Sequence, residues 1–216
     1  QLHRVRVREQ ALPAAFDGFT IAHVSDLHNA SFGEGQARLA ELLKEAAPDI
    51  IAVTGDVIDK RRPGMQNAID FFAAAVRTAP VYYVPGNHEA VSSEYPALRE
   101  AILALGVTVL EDEAVSLERG GEQILLAGVR DPIFTTSDAE QNTSLMREKL
   151  DSVLPEIRPY TVLLTHRPEL FATYREAGVN LTLAGHAHGG QFRLPWGQGI
   201  IAPNQGLFPK YTQGLY

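Results

Sequence analysis

The chain of 216 residues contains no cysteine. This excludes disulfides, thiolate zinc sites and a cysteine nucleophile, and leaves any metal to oxygen and nitrogen donors. It leaves the compartment open. No apolar run reaches the ~18 residues that would mark a bilayer-spanning helix, and no signal peptide is visible. Positive charge is scarce too. Nineteen Lys and Arg against 26 Asp and Glu give a formal net charge of −7. Such a surface repels a phosphate backbone and disfavours sequence-independent nucleic-acid binding. Lys60-Arg61-Arg62 is the one obvious basic run, and a solvated loop is its simplest reading. There is no internal repeat and no low-complexity segment. The chain begins at Gln1 rather than Met, so an upstream segment is expected to have been removed, a signal or a membrane anchor being one reading of it.

What is present is an ordinary globular composition, 45% hydrophobic and 21% charged, enough for a packed core. Short apolar runs alternate with amphipathic ones. Strands are expected at 19–24, 50–54, 81–84, 161–164 and 181–184. Helices are expected at 34–47, 65–78, 95–105 (with Gly106 as C-cap), 142–154 and 168–177. Three short runs, 107–110, 114–118 and 123–127, read as an antiparallel patch around Gly120-Gly121. The tail from Phe192 reads as irregular. Alternating β and α elements imply an α/β layered fold, and the antiparallel patch implies a mixed or two-sheet core. In open α/β sheets, ligands bind beyond the carboxyl ends of the strands.

Those strand ends carry the chemistry. HVSDLH supplies Asp26 and His28. AVTGDVID supplies Asp56 and Asp59. YVPGNHE supplies Asn87, His88 and Glu89. LLTHRPE supplies His166, and LAGHAHGG supplies His186 and His188. Of seven histidines, only His3 and His23 fall elsewhere, and His23 reads as a core residue of its strand. Every residue in the set offers an oxygen or an imidazole nitrogen. Carboxylate and imidazole without thiolate suit Mn, Fe or Zn, and the donors suffice for two ions, the usual clamp for in-line attack on phosphorus.

The blocks D-x-H, G-D-x-x-D, G-N-H-E, T-H and G-H-A-H, all present and in this order from Asp26 to His188, resemble the calcineurin-like metallophosphoesterases. The tail after His188 resembles a bacterial branch whose members are often membrane-linked or exported. The resemblance implies a four-layer α/β/β/α sandwich with two mixed sheets, read as a single domain over 1–216 that is cut at both ends. In that branch the chain runs on past a G-L-Y segment, whereas here it stops at Tyr216.

The resemblance also implies roles. Asp26, His28 and His188 would hold one metal; Asn87, His166 and His186 the second; Asp56 both. His88 would not ligate; it would protonate the leaving oxygen or bind the phosphate, with Asp59 fixing its tautomer. A metal-bridging hydroxide would attack a phosphodiester or pyrophosphate bond, with Mn the first choice of metal and Fe or Zn as alternatives. Glu89 would support His88 or face solvent. Lys60, Arg61 and Arg62 are substrate-side candidates. Asn29, Arg130 and Asp131 lie on loops that could reach the rim, and Gln191 and Trp196 could line the pocket. A lipid-linked substrate would need an apolar surface, for which Phe192 to Phe208 is the candidate; covering a sheet edge is the simpler reading. The alternatives are a phosphomonoesterase or a nuclease on the same site, and a non-catalytic scaffold. A scaffold has no need of His88 and Asp59 as well as the ligands, and a nuclease would show steep salt dependence.

Overall fold

The computed structural model describes residues 1–193 and 199–216, with the side chains of residues 191–193 left aside. Trp196 and the pocket reading of Gln191 therefore lie outside what is described. Two four-stranded sheets face each other. The first has the order β1 (Ile21–Val24), β2 (Ile50–Thr54), β3 (Val81–Val84), β4 (Thr108–Val109), all parallel. The second has the order β5 (Glu113–Arg119), β6 (Glu122–Gly128), β7 (Thr161–Thr165), β8 (Leu181–Ala184). It is mixed, with β5 and β6 antiparallel and the rest parallel.

The side-chain period of two sorts each central strand between layers. On β2, Ile51 and Val53 join the cluster under the helices, while Ile50 and Ala52 join the cluster between the sheets. On β7, Val162 and Leu164 face the inter-sheet core, and Leu163 faces the outer helices. Both strands are buried along their whole length, as parallel strands covered on both faces must be. The outer layers are α1 (Ala37–Ala46), α2 (Gln66–Ala75) and α4 (Tyr95–Ala104) on one side, and α5 (Asn142–Val153) with α6 (Phe171–Glu176) on the other. Three apolar interfaces make four layers, α/β/β/α.

Several local expectations are corrected. Residues 107–110 do not belong to the antiparallel patch; β4 pairs parallel with β3, Tyr82 opposite Thr108. Two residues of strand carry too little pattern to show their direction. The tail is not irregular: β9 (Gln191–Arg193), β10 (Gly199–Ala202) and β11 (Gly206–Leu207) form a third, antiparallel sheet. Its Gly and Pro content reflects tight turns rather than lack of structure. Asn87–Ala90 forms a further short helix, α3. His23 is not a core residue. It lies exposed on β1, an edge strand, with Nε2 2.7 Å from Thr54 Oγ1.

Candidate metal centre

The loops leaving β1, β2, β3, β7 and β8 converge at one end of the two sheets. The β1 and β2 loops stay paired past the strands: Asp26 N donates to Gly55 O (3.1 Å), His28 N to Asp56 O (2.9 Å) and Asn29 N to Val57 O (2.9 Å). Asp26, His28, Asp56, His186 and His188 all have positive φ, between 47° and 69°. This left-handed region costs an ordinary residue about 1–2 kcal/mol and persists only where the surroundings over-determine it. In both x-spaced pairs the residue between, Leu27 or Ala187, is buried. The backbone thus hides the middle side chain and turns both flanking ones outward.

Close approach of these loops demands glycine before the ligand-type residues. A Cβ on Gly185 would lie 1.9 Å from Ser25 Oγ, and one on Gly86 would lie 2.4 Å from Asp56 Oδ1.

Three groups of side chains gather there: Asp26 with His28 and His188, Asp56 with His166 and His186, and His28 with Asp59 and His88. Nε2 of His188 is 3.5 Å from Asp26 Oδ1, and Nε2 of His28 is 3.7 Å from the same oxygen. Asp56 Oδ2 lies 3.0 Å from His166 Nε2 and 3.9 Å from Nε2 of both His28 and His88. The two sides are tied by the His186 amide, which approaches both Asp26 oxygens at 3.1 Å. Asn87 enters on the first turn of α3, and the next amide, His88 N, donates to Asp56 Oδ1 at 2.9 Å.

The electrostatics follow from burial and crowding. Burial alone would raise the Asp56 carboxyl, but the His166 imidazole and the His88 amide hold it well below the usual carboxylate range. Burial likewise opposes the charge on His166, yet Asp56 raises it. His186 is pushed down to about 3 by burial and by the neighbouring His166 and Arg167 cations. Burial also lowers His188. The imidazoles of His186 and His188 are therefore neutral at physiological pH, the form that offers a lone pair.

Three supporting groups have partners that the sequence motifs do not reveal. Glu89 is fully buried and neither faces solvent nor touches His88. Its carboxylate accepts the amides of Asp56 (2.7 Å), Gly86 (2.7 Å) and Ile58 (3.1 Å), clamping the β2 loop to the β3 loop. Burial and the Asp56 charge push it up to about 7 against those three donors. Arg167 is buried against Asp131, with Nη2 2.8 Å from Oδ1 and Nη1 3.3 Å from His186 Nε2. Asn204, in the turn between β10 and β11, places its side-chain amide 2.8 Å from the same His186 nitrogen.

The rim readings change accordingly. Asp131 is wholly buried, because it neutralises Arg167. Arg130 is held by Asp112. Asn29 staples its loop by donating to Arg62 O at 3.0 Å. Lys60, Arg61 and Arg62 are exposed beside Asp59.

The donor set fits divalent cations on the structure's own terms. Asn87 Oδ1 is buried and without a hydrogen-bond partner, and His166 Nε2, also buried, faces the Asp56 carboxylate without a well-directed hydrogen bond, a condition that in a folded protein calls for an explanation such as a bound ion. His166 Nδ1 lies 2.6 Å from the Thr54 carbonyl, which accepts the Nδ1 proton; a cation at Nε2 would take the place of the second proton that Asp56 favours without it.

Comparison with known proteins agrees. The calcineurin-like phosphoesterase family profile matches residues 19–190. The chain is 28% identical over 215 residues to the uncharacterized metallophosphoesterase YkuE of Bacillus subtilis, covering 97% of this chain and 71% of that protein. It is likewise 28% identical over 213 residues to YkoQ of the same organism, an uncharacterized metallophosphoesterase, covering 97% and 75%. In fold it is similar to the crystal structure of TT1561 of Thermus thermophilus, with TM-score 0.52 and 18% identity over 77% of this chain and 80% of that one. The chain belongs to the calcineurin-like phosphoesterase family.

Proposed function

We propose that the chain is a phosphoester hydrolase that works with two divalent cations and prefers a phosphodiester or pyrophosphate bond. The observation that carries this reading is the position of Asp56. One carboxylate oxygen faces His166 on one side and His28 on the other, as a group shared between two ions must. Asp26, His28 and His188 would hold the first ion, and Asn87, His166 and His186 the second. When bound, the ions would screen the phosphate charge and acidify the attacking water; Mn is the first choice, with Fe or Zn as alternatives.

The chain's own residues do the rest. His88 turns Nε2 toward the site and Nδ1 toward Asp59, at 3.3 Å; it protonates the departing oxygen. Lys60, Arg61 and Arg62 form an exposed cationic rim next to Asp59. Such a rim suits a substrate with anionic charge beyond the scissile group. Leu207 and Phe208 are both about two-thirds exposed, and Asn204, a few residues earlier, touches His186. They supply an apolar surface near the site for a lipid-linked substrate. Among the described residues no helix is long and apolar enough to cross a membrane.

The test is hydrolysis of bis-p-nitrophenyl phosphate beside p-nitrophenyl phosphate, with Mn²⁺ and with chelator. The expected outcome is faster turnover of the diester, falling to background when the metal is removed. Faster turnover of the monoester would overturn the diester preference. Turnover that survives full chelation would overturn the metal-dependent reading.

A further inference from the structure

Asp59 does more than face His88. Its Oδ1 lies 3.3 Å from His88 Nδ1, and its Oδ2 lies 3.4 Å from His28 Nδ1. On the other side of both rings, each Nε2 is 3.9 Å from Asp56 Oδ2. Two carboxylates and two imidazoles close a ring, with the imidazoles edge-on and their centroids 4.6 Å apart. Both Nδ1 atoms are buried and neither makes a well-directed hydrogen bond, so the Asp59 oxygens at 3.3 and 3.4 Å are the acceptors on offer to them. Asp59 is fixed from below, since its Oδ1 also accepts the Arg61 amide at 2.8 Å.

We infer that Asp59 is a positioning residue for His28 as well as for His88, so that one carboxylate couples retention of the first metal to protonation of the leaving group. This rests on the two-cation reading above. A neutral imidazole has one lone pair and one N–H. If His28 gives its Nε2 lone pair to the ion shared with Asp26 and His188, its Nδ1 carries the proton and needs an acceptor. Asp59 Oδ2 is that acceptor. The competing arrangement, a third cation held by His28, Asp59 and His88, would take a second lone pair that neutral His28 does not have.

The experiment uses the full chain, with Mn²⁺ binding followed by equilibrium dialysis for wild type, Asp59→Asn and His88→Asn. Asparagine keeps the size of Asp59 and an oxygen for the Arg61 amide. The expected result is two bound ions in wild type and in His88→Asn with similar affinity. In Asp59→Asn one of the two should bind about 10–100-fold more weakly, the usual effect of losing a partner behind a metal-binding histidine. Equal affinities in Asp59→Asn and wild type would overturn the inference. Three ions in wild type, with the third lost in both variants, would favour the competing site and overturn it as well. A wild-type protein that takes up no divalent ion overturns the two-cation reading and this inference with it. Long-range ¹H–¹⁵N spectra of the metal-free wild type need no variant: His28 should be protonated on Nδ1, and a ring protonated only on Nε2 counts against the assignment.

Discussion

At the scale of single residues, Asp112 shows how this protein uses a partly buried charge away from its site. It accepts from Arg130 N, Nε and Nη2 and from Lys149 Nζ, at 2.7 to 2.9 Å. Burial opposes its ionisation, but the Lys149 and Arg130 donors win and hold its pKa below the ordinary 3.8. A carboxylate with a depressed folded-state pKa adds stability above its unfolded value and loses it as the pH falls through the folded value. Asp112→Asn should therefore lower stability by about 1 kcal/mol at neutral pH, a modest figure because the group is partly open to solvent. The difference should vanish in strong acid. Urea unfolding at pH 7 and at about pH 2 checks this; a gap that grows on acidification would reverse the sign. Residues of this kind are also where the sequence is least readable. The donors at strand exits announce themselves by type and spacing. Glu89, Arg167 and Asn204 act on amides or rings far away in the chain, and nothing in their neighbours marks the partner. Asp131 illustrates the point: it reads as a rim acid and is in fact the buried counter-charge of Arg167.

At the scale of elements, the contact between the ends of β1 and β8 is the tightest constraint. Gly185→Ala would drive a methyl group into Ser25 Oγ and Asp26 Oδ2, and overpacking of this kind costs about 1–3 kcal/mol. Because Asp26 would have to move, Mn²⁺ affinity should fall together with melting temperature. Adding Ser25→Gly should recover part of both, and a single variant as stable as wild type would contradict the packing argument. The elements themselves were legible where period and length agreed. IIAVT and TVLLT are continuous apolar runs of strand length and are fully buried strands. The helices 66–75 and 142–153 fall inside their expected ranges. Legibility failed for two-residue β4, for one-turn α3, and for a tail whose strands are only two to four residues long.

At the scale of the molecule, the site lies where the two sheets meet, and its donors come from both. A cation held there would cross-link β1, β2 and β3 of one sheet to β7 and β8 of the other. Binding to the folded state alone stabilises by mass action, about 2.7 kcal/mol at a hundredfold excess over Kd. For a chain of this size that amounts to roughly 5–10 °C in melting temperature. Scanning calorimetry with Mn²⁺ and with chelator should show this shift, and coincident transitions would argue against the cross-link. The four-layer plan was legible through the family resemblance of the strand-end motifs; IIAVT and TVLLT are apolar throughout, and only the structure divides their side chains among the three interfaces. The third sheet was not legible, because β9–β11 add no alternating run.

The left-handed backbone at Asp26, His28, Asp56, His186 and His188 also restricts how this centre can decay. Asn, Asp and Gly visit that region at little cost, whereas β-branched residues do so badly. A lineage that abandoned the chemistry but kept the fold would drift through Asn, Asp or Gly at these five positions. A valine or isoleucine there would strain the scaffold as well as end the activity.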